Sequence, residues 1–190
     1  MERNALIEKL EKYKPYNEQE AADRDEILRQ IIDTPDIFSR GNKNAHMTAS
    51  SWIVNSSRTK ALMVYHNIYD SWSWSGGHAD GETDLLAVAV REACEETGLR
   101  NVRPVSEEIY SLEILTVDGH IKRGKYVSSH LHLNVTYLLT ADESESLRKK
   151  EDENSAVAWF GLEEAVAASS EPWFREWIYP KLNAKLHLFR

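Results

Sequence analysis

A glycine-rich stretch, Gly76-Gly77-His78-Ala79-Asp80-Gly81-Glu82, runs into a segment of helical periodicity that ends Arg91-Glu92-Ala93-Cys94-Glu95-Glu96-Thr97-Gly98-Leu99. A turn feeding a helix that carries three carboxylates within five residues restricts what the surrounding chain can be. Glu92, Glu95 and Glu96 project from one side of such a helix and repel one another. Each exposed like-charge pair costs roughly 0.2–0.5 kcal/mol, and the cost grows where water is excluded. An oxygen-preferring divalent cation would turn that repulsion into coordination. The alternative is a solvated acidic face with Arg91 and Glu95 as an ordinary helical ion pair.

At about 100° of rotation per residue, Leu86, Val90, Ala93 and Thr97 form a narrow packing stripe, with Ala89 and Leu85 to one side. Glu95 points away from it. Glu92 and Glu96 lie on one flank, near the apolar edge, where a carboxylate can be sheltered.

The chain has 190 residues and a formal net charge of −8. That length suffices for one domain, or one domain with an appendage, and a real core. The negative charge argues against nucleic acid or anionic lipid as a non-specific partner and requires any anionic substrate to be held by a metal or by locally placed Lys and Arg. No apolar run reaches the length of a membrane span, and Met1-Glu2-Arg3-Asn4 lacks a secretion signal's apolar stretch, so the cytoplasm is expected. Cys94 is the only cysteine. Its acidic neighbours raise rather than lower a thiol pKa, which makes it a packing residue.

Residues 4–13 and 17–32 have helical character, parted by Pro15 and Asn17, and read as an N-terminal helical arm over 1–44. In the domain over 45–190, strands are expected at 46–55, 60–66, 108–117, 131–139 and 156–160, with Asn55-Ser56-Ser57-Arg58 and Asp118-Gly119 as turn signals. Helices are expected at 162–168 and 172–186. Strands around one central helix, followed by late helices, make an α+β sandwich with mixed pairing.

Residues 76–99 resemble the signature box of the Nudix hydrolases, G-x5-E-x7-R-E-U-x-E-E-x-G-U with U aliphatic, at Gly76, Glu82, Arg91, Glu92, Glu95, Glu96, Gly98 and Leu99. Two departures stand out. Eight residues rather than seven separate Glu82 from Arg91, and the first U position is Ala93. Counting from Gly77 restores the spacing but puts Thr83 in place of the first glutamate. On either count the spacing anomaly lies where the loop enters the helix, so the R-E-x-x-E-E-x-G half is unaffected, while the role of Glu82 and the choice of metal-facing glycine stay open.

The resemblance implies a Nudix-type α/β/α sandwich with a mixed sheet, preceded here by the helical arm. It also implies Mg²⁺ or Mn²⁺, held by Glu92 and Glu96 with Glu95 completing the cluster and Gly76 offering a carbonyl. Arg91 is expected to orient a glutamate. Many family members carry a further glutamate, a metal ligand or general base, ahead of a tryptophan-containing strand; here Glu153, then Glu151, is the candidate, the alternative being a solvated acidic loop. The catalytic set is therefore Glu92, Glu95, Arg91 and Glu153.

The implied reaction is attack of water on one phosphorus of a nucleoside diphosphate derivative, a small-molecule substrate. Residues 114–117, where some subfamilies place a proline or tyrosine associated with ADP-ribose or diadenosine polyphosphates, contain neither. A non-catalytic nucleotide-sensing module is the alternative function. An enzyme like isopentenyl diphosphate isomerase is disfavoured, because its cysteine precedes the box helix whereas Cys94 lies within it.

Other side chains remain candidates for substrate contact. His78 sits within the glycine turn. Trp74, with Tyr69 and Trp72, could stack on a base or pack in the core. His130 and His132 alternate on a strand and share one face; with His46 they form either a second metal or substrate site or a set of satisfied, half-buried histidines. The helical arm offers a surface that shapes the pocket or pairs two chains as a homodimer.

Overall fold

The computed structural model describes residues 2–122 and 124–189. The chain is α+β with a mixed sheet and N-terminal helices. Its elements are α1 (Arg3–Lys12), α2 (Glu18–Asp33), β1 (Ala45–Asn55), β2 (Lys60–His66), β3 (Ser71–Ser73), β4 (Ser75–His78) and α3 (Leu85–Thr97). Then follow β5 (Arg103–Pro104), β6 (Ser111–Val117), β7 (His120–Lys122), β8 (Lys125–Val127), β9 (His130–Ala141), β10 (Asn154–Gly161), α4 (Leu162–Ala168) and α5 (Tyr179–Lys185). The main sheet has the order β10-β2-β1-β9-β5, with β3 on β2, β4 on β1 and β6 on β9. Backbone contacts divide the chain into two compact units.

The first unit comprises Met1–Ala49, Gly77–Val88 and Glu108–Thr136. Asn17 caps α2, its side chain accepting from the Glu20 N–H at 3.0 Å. Leu6, Leu10, Ile27 and Ile31 bury the apolar faces of the two helices. Polar bonds tie α2 to β6: Gln19 donates to the Leu112 carbonyl at 3.0 Å, and Asp23 accepts from the Ile114 N–H at 2.9 Å. Glu20 and Glu113, both fully buried, are bridged by the Ser111 hydroxyl. Thr136 and Asn134 also donate to Glu113, at 2.8 and 3.0 Å. A buried carboxylate left without such donors would be strongly disfavoured.

The second unit comprises Ser50–Gly76, Ala89–Glu107 and Tyr137–Arg190. The β1–β2 turn closes on Asn55, whose side-chain oxygen accepts from the Thr59 and Lys60 N–H groups at 2.9 and 3.1 Å. Strand β10 pairs antiparallel with β2, Val157 opposite Val64 and Trp159 opposite Leu62. An aromatic core forms around Tyr179, which stacks on Trp52 at 5.2 Å between ring centroids and meets Trp74 edge-on at 5.8 Å.

Three sequence expectations need correction. The glycine stretch begins as strand β4, and the turn proper is confined to the residues after it, where Asp80 and Gly81 adopt positive φ of 50° and 92°. The connection opened by Asp118-Gly119 holds a hairpin of its own, β7 paired with β8. The helix expected at 172–186 contains a π-helical turn, Phe174–Ile178, before α5. Pro180 lacks the N–H that would continue the α-helical ladder, so the hydrogen-bond register shifts ahead of it.

Candidate functional site

Helix α3 starts where Asp84 accepts from the Ala87 N–H at 3.3 Å and Glu82 accepts from the Asp84 N–H at 2.8 Å. Glu82 is thus engaged at the helix entrance. The helix ends at Gly98, whose φ is +74°. A Cβ there would stand 2.7 Å from Arg148 Cβ and 2.9 Å from the Arg148 nitrogen, so only glycine fits.

The packing face differs from the sequence expectation. Leu85, Val88, Ala89, Ala93, Glu96 and Thr97 are buried, whereas Leu86 and Val90 are only partly so. The stripe is turned toward Glu96. An apolar count omits the carboxylate that the fold takes inside, and so misplaces the centre of the face.

Glu96 is 4% exposed. Its carboxylate accepts from the Gly76 N–H at 3.1 Å. Burial pushes its pKa up to about 8; the Gly76 N–H opposes the rise, and the charges of Glu92 and Glu153 add to it. Glu92 is also raised, by burial first and then by Glu95. Arg91 lies 3.2 Å from Glu92, an ion pair between sequence neighbours. Glu95 is half exposed and bonded to Lys150 Nζ at 3.2 Å.

Lys150 and Asn154, which the sequence reading did not single out, are brought to this cluster by the fold. Lys150 also meets Glu153, at 2.8 Å. Burial acts to lower the Lys150 pKa, but the bonds to Glu153 and Glu95 override it and hold the ammonium above its usual range. Asn154, buried, donates to the Glu96 carbonyl at 2.9 Å and accepts from the Lys150 N–H at 3.1 Å. It therefore locks the 150–154 turn onto the end of α3 and sets Glu153 in the field of Glu96. The basic run Arg148-Lys149-Lys150 set directly before Glu151-Asp152-Glu153 was the available signal.

The other candidates are placed as follows. Glu151 is exposed. Trp74 is 7% exposed, set edge-on against Phe174 and Tyr179, and its backbone N–H donates to the Tyr179 hydroxyl at 3.2 Å; it is a core side chain. Cys94 is partly buried, and burial, then Glu145 and Glu95, push its thiol pKa up, which leaves it unactivated. His78 belongs to the first unit, where its ring lies 5.1 Å from that of His46 and 5.0 Å from that of His132. Among the described residues no helix is long and apolar enough to cross a membrane.

Comparison with solved structures shows the same fold in several hydrolases. An Ap4A hydrolase of C. elegans, as a binary complex, is 19% identical, with a TM-score of 0.56 over 75% of this chain and 98% of that one. A NUDIX-family hydrolase from Clostridium perfringens is 22% identical, with a TM-score of 0.51 over 77% and 99%. The E. coli dihydroneopterin triphosphate pyrophosphohydrolase is 15% identical, with a TM-score of 0.52 over 70% and 92%. No curated protein sequence matches the chain. The family model described as NUDIX domain matches residues 45–181. On that match the chain belongs to the NUDIX family, hydrolases acting on phosphorus-containing acid anhydrides.

Proposed function

We propose that the chain is a divalent-metal-dependent pyrophosphohydrolase that cleaves the diphosphate linkage of a nucleoside diphosphate derivative in the cytoplasm. The observation that carries this reading is Glu96: a carboxylate almost entirely buried, bonded to the Gly76 N–H, with Glu92 and Glu153 acting on it electrostatically. A buried group with its pKa displaced by burial and like charges is a signature of functional sites.

The donor set suits a hard cation. Glu92, Glu95, Glu96 and Glu153 offer only oxygen, as Mg²⁺ and Mn²⁺ prefer, and Lys150 and Arg91 leave them in excess of positive charge. Glu96 and Glu92 would hold the ion, with Glu95 at the exposed margin. A bound Mg²⁺ or Mn²⁺ would neutralise diphosphate charge and lower the pKa of water.

The chain's own groups do the rest. The Gly76 N–H fixes the Glu96 carboxylate in one orientation, and Arg91 does so for Glu92. Glu153 takes the proton of the attacking water, and its ion pair with Lys150 positions it for that task. One phosphorus–oxygen bond of the diphosphate breaks and two phosphate-bearing products leave.

The test is a panel of dinucleotide, nucleotide-sugar and nucleoside triphosphate substrates incubated with Mg²⁺ or Mn²⁺. Turnover by the wild type and none by Glu96→Gln supports the reading. Thermal stabilisation by a nucleotide without turnover of any panel member would instead make the chain a nucleotide sensor.

A further inference from the structure

We propose that His46, His130 and His132 form a second metal site, selective for a first-row transition ion with imidazole preference, such as Zn²⁺. The three side chains place their ligand nitrogens within 4.8 Å of one another. Their rings are 4.9–5.0 Å apart between centroids. None of the box carboxylates takes part.

Hydrogen bonds assign the protonated nitrogen of His46 and of His130. His46 Nδ1 lies 3.0 Å from the Asn42 carbonyl oxygen, which can only accept, so Nδ1 carries the proton. In the neutral ring Nε2 then holds a lone pair. That atom is buried and finds no hydrogen-bond partner among the described residues, and His46 itself is 4% exposed. His130 likewise has Nδ1 2.8 Å from the Ser128 carbonyl oxygen, and its Nε2 faces His132 Nε2. A ring N–H given to a backbone carbonyl is the usual support for a metal-binding imidazole.

The spacing also suits a metal. His130 Nε2 and His132 Nε2 are 3.2 Å apart. Two nitrogens bound to one tetrahedral zinc at its usual bond length lie about 3.3 Å apart. An exclusively nitrogen donor set favours zinc, cobalt, nickel or copper over magnesium or manganese.

The backbone holds the three in place independently of any ion. The Asn44 carbonyl accepts from the N–H of Leu131, between His130 and His132, at 2.9 Å. The Met47 carbonyl accepts from the N–H of Ala79, next to His78, at 3.1 Å. Strand β9 is fixed in register on β6, with His130 opposite Val117 and His132 opposite Leu115. Three protein ligands leave a fourth position for water or a substrate oxygen, as in catalytic rather than structural zinc sites. The His78 ring lies beside the cluster, and Asp80 near it is held by Arg40 at 2.6 Å.

The experiment titrates metal-free full-length chain with Zn²⁺ alone against a chromogenic chelator, in parallel with His130→Asn, His132→Asn and Glu96→Gln. The expected result is one tightly held zinc per chain, bound at least tenfold more weakly by each histidine variant and unchanged in Glu96→Gln. Equal zinc binding by wild type and histidine variants, loss in Glu96→Gln alone, or binding only at millimolar zinc would overturn the site. Should both histidine variants fail to fold by circular dichroism, the visible spectrum of the Co²⁺-loaded wild type decides. Intense bands of a nitrogen-ligated tetrahedral ion uphold the site; the faint absorption of an oxygen-ligated octahedral one refutes it.

Discussion

The backbone N–H of Gly76 donates to the Glu96 carboxylate at 3.1 Å, joining the glycine stretch to the last turn of the box helix within one compact unit. A buried carboxylate with this donor and two acidic neighbours is poised to exchange a proton for a cation.

Glu96→Gln should separate binding chemistry from folding. The amide oxygen still accepts from Gly76, and a buried group that is costly to ionise is replaced by a neutral one, so the metal-free protein should melt at the wild-type temperature or above. Stabilisation by Mn²⁺ should disappear, and kcat/KM should fall at least about 100-fold. Differential scanning fluorimetry with and without Mn²⁺, together with phosphate release, reads both effects.

Asn154→Ala removes two side-chain bonds, one to the Glu96 carbonyl and one to the Lys150 N–H. Leaving these groups unsatisfied should cost about 1–3 kcal/mol, measurable by urea denaturation. Activity should fall further than the stability loss explains, because Glu153 and Lys150 lose their common anchor.

Gly98→Ala should destabilise the fold by about 2 kcal/mol or more. The new methyl group would meet Arg148 at 2.7 Å on a residue of positive φ. A lowered denaturation midpoint with an unchanged denaturant slope is the expected observation.

Glu171 supplies a pH dependence. Burial pushes its carboxyl from an ordinary 4.5 up to about 7, and one of its oxygens is buried without a hydrogen-bond partner among the described residues. Between these values the folded protein keeps a proton that the unfolded chain has released. The contribution of Glu171 to stability therefore falls as pH rises from about 4.5 to about 7 and levels off above that. Glu171→Gln should remove this slope and raise the melting temperature at pH values above the window, as thermal melts across pH would show.

Much of the fold was legible because its signals are local. The helical spacing of Leu6, Leu10, Ile27 and Ile31, the Asn17 cap and the Asn55 turn each act over a few residues, and α1, α2 and β2 follow them closely. The β7–β8 hairpin was not legible. Its strands are three residues long, too short for alternation to register, and Ile121 and Tyr126 stay exposed rather than half-buried.

The carboxylates of α3 and their shared side were determined by the sequence alone, since spacings of three and four residues need only a helix. Which of them enters the core was decided by tertiary packing, because burial depends on what covers the helix and not on its own period. The meeting of Lys150 and Asn154 with Glu95 and Glu96, and of His46 with His130 and His132, was likewise a tertiary outcome. These residues are far apart in the chain, and strand register and loop anchoring bring them within reach of one another, while composition and periodicity carry no record of either.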